Sequence, residues 1–435
     1  MGNIYAVAGN PILASRSPRM FNAAFRELSL DAVYTRLAVT TAEEVITTAR
    51  EAGIDGLNIT SPFKADVIPF LDEVEEVAAK IRSVNTVVQQ AGKFFGYTTD
   101  PAGVLGALKE TSFEPAGKKT VVLGAGGAGR AAALALLSAG AEVVLVNRSL
   151  EKAEEAAGVL RCSVLPFERA EEALKGSHLL ISTISSEQRV IEPGLLSREL
   201  TVLDANYSRP TALLQDAQRA GCNVVDGRLW LLHQALPAFG YFTGETAPLE
   251  TMRKALMKKT WPVHRNIALI GLSGSGKSTV ATELAALTGM SVIDIDSMVE
   301  EKAARSIAEL FEKEGEETFR NMERTEVQKL WNISHAVVAC GGGAILTKRN
   351  IQTIRSTSVP VWLWASPKTL LTRIADTGSR PLLHGEDPLA RIEKQLGERR
   401  FFYASTADLL ISTEGERPDE IAGRIWSEIH KTLSS

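Results

Sequence analysis

Apolar residues fall in short runs along this chain, and stretches with helical spacing separate them. IYAVAG (Ile4–Gly9), AVYTRLAV (Ala32–Val39) and GLNIT (Gly56–Thr60) predict strands in a first segment that runs to about Asp100. TAEEVITTAREAG (Thr41–Gly53) lies between two of them and predicts an amphipathic helix. KKTVVLGAGGAGRAAALALLSAG (Lys118–Gly140) reads as strand, glycine turn and Ala/Leu-rich helix, followed by the strand EVVLVN (Glu142–Asn147). Further strands are predicted at LLIST (Leu179–Thr183) and VLDAN (Val202–Asn206), and helical stretches from LWLLHQALPAF to TMRKALMKK close this portion. KKTWPVHRN (Lys258–Asn266) mixes charge with a proline and has no periodicity, so it predicts a linker. IALIG (Ile267–Gly271) then opens a new strand. Strands alternating with helices predict an α/β architecture with largely parallel sheets.

Composition narrows the classes. At 435 residues the chain is long for one core and suits two or three domains. A formal net charge of -4 lacks the basic excess of a nucleic-acid binder, so no nucleic-acid partner is expected. No apolar run reaches the roughly 18–20 residues that cross a bilayer. MGNIYAVAGNP starts directly on a strand pattern, with no basic flank before an apolar core. Cys162, Cys222 and Cys340 are scattered, without metal spacing or a disulfide framework. A cytoplasmic, reduced protein with no membrane partner is the expectation. The sequence carries no signal for oligomeric state.

Two glycine-rich turns carry chemistry. In VVLGAGGAGRAA, Gly124, Gly126, Gly127 and Gly129 follow a strand and open a helix, as a pyrophosphate-binding turn requires. The next strand ends in Asn147-Arg148-Ser149, with no carboxylate for a ribose hydroxyl. A guanidinium beside a small hydroxyl suits a 2′-phosphate, which favours NADP(H) over NAD. A purely structural turn and a solvated arginine are the plainer alternatives. Further on, GLSGSGKST (Gly271–Thr279) matches the P-loop pattern through Gly271, Gly274, Gly276, Lys277, Ser278 and Thr279. Its backbone would cradle the phosphates of ATP, Lys277 would reach the outer ones, and Ser278 would take Mg²⁺.

A P-loop does not name the phosphate acceptor. Asp294 and Asp296 follow a predicted strand, one residue apart, and are expected on one side of the sheet. Arg320 and Arg399 could clamp a carboxylate. Gly341–Gly343 end a buried strand and permit close approach of a ligand, and SRPLL carries Arg380 in a loop. In the front portion, Ser15 and Ser17 offer two hydroxyls to a small anion. Lys64 and Asp100 could form a proton-relaying pair, with Asn85 and Thr98 in polar clusters nearby in the sequence. Taken singly, each of these is equally a surface lysine, a helix cap or an ion-pair partner.

Jointly they are more specific. AGNPILASRSP, NITSPFK, SVNTV, TTDPAG, VLGAGGAGRAA, VNRS, DANYSRPT and GRLWLLHQALPAF occur in order, and residues 1–258 resemble shikimate dehydrogenase. The resemblance implies that Ser15 and Ser17 bind the substrate carboxylate and that Lys64 and Asp100 are catalytic. It implies ring-hydroxyl contacts for Thr60, Asn85 and Gln234, pyrophosphate contacts for the four glycines of the turn, and adenosine-phosphate contacts for Asn147, Arg148 and Ser149. Phe21 stands where the family usually has His, Thr98 where it has Asn, and Ser182–Ile184 where it has an NAT segment. These departures leave the choice between shikimate and quinate open.

The P-loop, DID, FRNME, GGG, RPLL and RRFFY also occur in order, and residues 264–435 resemble shikimate kinase. The resemblance implies that Asp296, Arg320, Arg399 and Gly341, Gly342 and Gly343 bind shikimate. Lys277, Ser278, Asp294 and Arg380 would serve ATP, Mg²⁺ and the transferring phosphoryl group, with Arg373 at the adenine. The implied fold is an α/β substrate domain (1–101, with 228–258 returning to it), a Rossmann NADP domain (102–227), a linker (258–265) and a P-loop α/β/α kinase domain (266–435). The implied substrates are small molecules, and the implied function is two consecutive reactions on one chain. A dehydrogenase carrying a nucleotide-sensing module is the rival reading.

Overall fold

The structure is a computed structural model that describes residues 2–184, 189–207, 211–258, 266–375 and 387–433. Apart from Lys258 and its own end at residue 266, the expected linker segment lies outside these residues, and so does Arg380. The chain packs as two compact units that do not follow chain order. One gathers Met1–Pro18, Ser29–Ile54 and Lys259–Ser434, and the other gathers Arg19–Leu28 and Asp55–Lys258.

The first unit is built on a parallel sheet. From one edge its strands are Ser291–Asp294, Ala336–Ala339, Asn266–Ile270, Ser358–Trp364, Leu409–Ser412, Ala32–Ala38 and Asn3–Gly9. Parallel strands are covered on both faces and therefore read as continuous apolar runs. SVPVWLW (Ser358–Trp364) is buried at every residue. The sheet is continuous across the pairing of Leu410 with Leu37 and of Ile411 with Ala38. This seam joins two strand edges that would each otherwise expose unpaired backbone. Beside it, Thr35 Oγ1 donates to the Ala407 carbonyl at 3.1 Å.

The second unit holds two sheets. The first is mixed: Gly56–Ile59, Thr86–Gln90 and Lys93–Tyr97 pair antiparallel, and Glu73–Val74 adds a parallel edge. These antiparallel pairs are the exception among the described strands, whose pairing is otherwise largely parallel as expected. Ala91 (φ 48°) and Gly92 (φ 81°) make the tight hairpin turn, whose two positive φ values match the strand twist. The second sheet is parallel, in the order Asn223–Val225, Thr201–Asp204, Leu179–Ser182, Lys119–Leu123, Glu142–Asn147 and Ser163–Pro166. Counted from Lys119–Leu123 in chain order, this is the 3-2-1-4-5-6 arrangement of a doubly wound sheet. Its switch point lies at the end of Lys119–Leu123, where the glycine turn begins.

Two helices of this unit cross closely. Gly103 and Gly106 of Asp100–Glu110 face Gly227–Thr243, and a Cβ at Gly103 would lie 2.5 Å from Trp230 Cδ1 and 2.8 Å from Gln234 Cβ. Phe21 joins Phe25, Phe239 and Phe242 in an aromatic cluster, with centroids 5.7–6.2 Å from its own. The departure at position 21 is therefore a packing residue.

Candidate active sites

The glycine turn follows from local backbone demands. Gly124 has φ 104°, and a Cβ there would sit 2.4 Å from Thr183 Oγ1. A Cβ on Gly129 would sit 1.9 Å from the Gly124 carbonyl oxygen, so only glycine lets the helix Gly127–Ser138 start this close to the strand. Asn147 ties the next strand to the turn: its Oδ1 accepts from Ala125 N at 3.3 Å and its Nδ2 donates to the Ser149 carbonyl at 2.8 Å. Ser149 caps the helix Leu150–Leu160, and Arg148 is exposed between them.

A cavity of about 520 Å³ opens here, lined by Gly126, Gly127, Asn147, Arg148, Ser149 and also Lys64. Lys64 Nζ donates to Asp100 Oδ2 at 2.5 Å, with the side chains 16% and 5% exposed. Residues 36 positions apart in the chain are thus one ion pair, with Lys64 on the cavity wall. Beside the pair runs a buried amide network. Asn85 Nδ2 donates to Gln234 Oε1 at 2.9 Å and to Thr99 Oγ1 at 3.0 Å, while Asn85 Oδ1 accepts from Thr99 N at 2.8 Å. Thr60 follows the strand Gly56–Ile59 and is half-buried. The sequence reading missed Thr99, although TTD held the clue: Thr99 precedes Asp100 and is its helix N-cap.

Arg130 was also missed. Its Nε donates to the Ile81 carbonyl at 2.5 Å, and its other nitrogens to the Ala125 and Arg82 carbonyls at 2.9 and 2.7 Å. This guanidinium is spent on backbone that borders the turn.

Ser15 and Ser17 belong to the first unit and are both buried. Ser15 Oγ lies 3.4 Å from Ser17 Oγ and accepts from Ser17 N at 3.4 Å. The hydroxyls are adjacent at the start of the helix Ser17–Glu27.

The P-loop lies in the same unit. Gly271 (φ 151°), Gly274 (φ 85°) and Gly276 (φ 87°) hold conformations that favour glycine. A second cavity, of about 490 Å³, is lined by Gly274, Gly276, Lys277, Ser278, Thr279 and Arg373. Lys277 Nζ donates to the Leu272 carbonyl at 3.0 Å, and Ser278 Oγ donates to Asp294 Oδ2 at 2.7 Å. Arg373 is anchored by bonds to Thr413 Oγ1 at 2.9 Å and the Thr413 carbonyl at 2.8 Å.

Asp296 corrects an expectation. The strand ends at Asp294, and Asp296 stands in the first turn of the helix Ile295–Ala303 rather than on the sheet. Asp294 Oδ1 accepts from the N–H groups of Asp296 and Ser297 at 3.0 and 3.2 Å, and this cap turns the strand into the helix.

Around Asp296 the acceptor-side residues converge. A Cβ on Gly341 would lie 2.5 Å from Asp296 Oδ1 and 2.7 Å from Glu323 Oε1, and one on Gly343 would lie 2.2 Å from Arg320 Nη1. Arg320 Nη1 donates to Glu323 Oε2 at 3.0 Å. Glu323 is fully buried, and burial pushes its carboxyl above the ordinary range while Arg320 pulls it back. Sequence reading passed over this carboxylate, which lies one helical turn beyond Arg320. Arg399 Nη1 and Tyr403 OH both donate to the Gly342 carbonyl, at 3.4 and 2.7 Å. Cys340 is buried, and burial pushes its thiol up to about 12, so it stays neutral. Among the described residues no helix is long and apolar enough to cross a membrane.

A glycine turn at the switch point of a doubly wound sheet, with a carboxylate-paired lysine on the cavity wall, defines a dinucleotide-dependent oxidoreductase. A P-loop facing acidic and guanidinium groups defines a nucleotide-dependent phosphotransferase. Family models match accordingly: shikimate dehydrogenase substrate binding domain on residues 7–87, shikimate / quinate 5-dehydrogenase on 107–207, shikimate 5'-dehydrogenase C-terminal domain on 231–257, and shikimate kinase on 273–430. The chain belongs to the shikimate dehydrogenase family and carries a shikimate kinase domain behind it.

It is 38% identical over 276 residues to the shikimate dehydrogenase (NADP(+)) of Methanopyrus kandleri, covering 59% of this chain and 95% of that one. Over 264 residues it is 40% identical to the enzyme of the same name from Thermococcus kodakarensis, covering 59% and 96%. The crystal structure of shikimate dehydrogenase from Aquifex aeolicus aligns with a TM-score of 0.56 at 34% identity, covering 59% and 98%.

Proposed function

We propose that the front portion reduces 3-dehydroshikimate to shikimate with NADPH, and that the kinase portion phosphorylates shikimate from ATP to shikimate 3-phosphate. The observation that carries the first reaction is Lys64, on the wall of the cavity that the glycine turn lines and paired with Asp100 at 2.5 Å. NADPH, when bound, would supply hydride to the ketone carbon; Lys64 Nζ gives its proton to the carbonyl oxygen and is reprotonated from water, and Asp100 stabilises the ammonium form. Ser15 and Ser17 hold the substrate carboxylate. Thr60, Asn85 and Gln234 hold ring hydroxyls. Gly124, Gly126, Gly127 and Gly129 take the pyrophosphate, and Asn147, Arg148 and Ser149 the 2′-phosphate that selects NADP.

In the kinase, Arg320 and Arg399 bind the carboxylate, Gly341, Gly342 and Gly343 let the ring approach, and Asp296 orients the acceptor hydroxyl. The P-loop and Arg373 hold ATP, and Lys277 and Arg380 neutralise charge on the phosphoryl group. Ser278 Oγ and Asp294 Oδ2 form a hard-oxygen pair that fits Mg²⁺, which takes few protein ligands and keeps water and phosphate oxygens. When bound, Mg²⁺ adds positive charge at the phosphates. Both reactions suit a cytoplasmic enzyme working on small molecules.

A two-stage assay tests the reading. 3-Dehydroshikimate and NADPH are supplied and NADPH absorbance followed; ATP and Mg²⁺ are then added and shikimate 3-phosphate measured. Lys64→Ala is expected to abolish only the first step and Lys277→Ala only the second. NADPH consumption without phosphorylated product defeats the kinase half and favours a nucleotide-sensing role.

A further inference from the structure

The loop between the strand Asn3–Gly9 and the helix Ser17–Glu27 carries Ser15 and Ser17, and its backbone is held at two points from a distant part of the chain. At the first point, Glu428 Oε2 accepts from the N–H groups of Ile12 and Leu13 at 2.8 and 2.9 Å. Glu428 lies on the helix Pro418–Leu433 and is 4% exposed. At the second, the Ser15 carbonyl accepts from Arg36 Nε at 3.0 Å and Nη2 at 2.7 Å. Arg36 is 3% exposed, and its Nη1 donates to the Asp408 carbonyl at 3.1 Å, with Asp408 Oδ1 at 3.9 Å. Residues 408 and 428 lie inside the stretch that the shikimate kinase model matches, whereas the dehydrogenase models end at residue 257.

We infer that Glu428, with Asp408 acting through Arg36, is a positioning residue for the dehydrogenase reaction, fixing the loop whose serine hydroxyls take the substrate carboxylate. A buried carboxylate stays in place only where donors meet it, and buried N–H groups need an acceptor. Each requirement meets the other here. Burial pushes the Glu428 carboxyl up, and the two N–H bonds work against that rise. Without the carboxylate, Ile12 and Leu13 present unpaired donors in a buried place and the turn relaxes toward another acceptor. Ser15 N, which donates to the Ile12 carbonyl at 2.9 Å, moves with it. The loss falls on carboxylate binding, which ground and transition states share, so KM changes and kcat does not.

The inference rests on the proposed role of Ser15 and Ser17. Steady-state kinetics of shikimate oxidation with NADP⁺ on the full-length chain test it. Glu428→Ala is expected to raise the KM for shikimate about tenfold, with kcat, the KM for NADP⁺ and the kinase reaction each within about twofold. Glu428→Gln, whose amide oxygen can accept the same two bonds, is expected to stay within about threefold of the unmutated chain. An unchanged shikimate KM in Glu428→Ala overturns the inference. So does a parallel change in kcat and the NADP⁺ KM, which reports general damage. Should the alanine chain not fold, Glu428→Asp carries the same test, since it keeps the charge and draws the acceptor back by one methylene. An unmutated chain that cannot oxidise shikimate defeats the proposed function instead, so the two failures are distinguishable.

Discussion

Replacing Gly129 by alanine tests the geometry of the dinucleotide turn at a single atom. The new Cβ would lie 1.9 Å from the Gly124 carbonyl oxygen and 2.7 Å from its carbonyl carbon. Non-bonded heavy atoms need about 3.5 Å, so strand end and helix must part by roughly 1.5 Å. The helix cannot slide as a whole, because Ala131, Ala132, Ala133, Ala135 and Leu136 pack it into the core. The displacement therefore falls on the turn and the first helical residues, whose N–H groups take the pyrophosphate in the proposed reading. Overpacking of this kind costs about 1–3 kcal/mol of stability. A misplacement near 1 Å costs about 100-fold in rate. The assay is kcat/KM for NADPH in the reduction of 3-dehydroshikimate, with kinase turnover in the same preparation as an internal control. The expected result is a loss of about 100-fold in the first and a change within about twofold in the second. An unchanged kcat/KM for NADPH, with the native circular dichroism retained, would refute the close-approach argument.

Two further results are expected. Arg148→Ala should raise the KM for NADPH about tenfold while leaving NADH within about twofold, since only the 2′-phosphate loses its cation; equal effects on both cofactors would remove Arg148 from cofactor choice. Glu323 titrates from a raised position, so the native state holds its proton more tightly than the unfolded chain does. Its contribution to stability is fully present below the ordinary value of 4.5 and is lost as pH rises through the folded value. Thermal melts of Glu323→Gln across that window should show a flatter fall of Tm with pH than the unmutated chain, and an identical slope would count against the raised carboxyl.

Both glycine turns were legible in the sequence because their demands are local. Gly124, Gly271, Gly274 and Gly276 hold positive φ values within a few residues of a strand end, and such positions announce themselves by composition. Residue chemistry offered Lys64 and Asp100 as one pairing among plainer readings, and only the family resemblance singled it out, since a hydrogen bond across 36 residues leaves no spacing to read. Thr99 and Glu323 were missed for a related reason. Each supports a neighbour that draws the eye, and a supporting role depends on burial. Asp296 was assigned to a strand face because DID follows an apolar run; the capping geometry of Asp294 moved it onto a helix. The hairpin of Thr86–Gln90 and Lys93–Tyr97 escaped notice because its strands are short and end in Gln89, Gln90 and Lys93, with no apolar alternation. Strand order was invisible throughout, and the seam most of all, since an edge strand is apolar whether or not another edge meets it.

The seam has a consequence for how the chain reaches its native state. Thr35 and Ala407, joined beside it, are 372 positions apart, so the sheet closes through a contact of very high sequence separation. The strand Ala32–Ala38 emerges early in synthesis and waits with one edge unpaired until Leu409–Ser412 arrives. During that interval it presents an open template to any passing strand, which is the state in which β proteins aggregate.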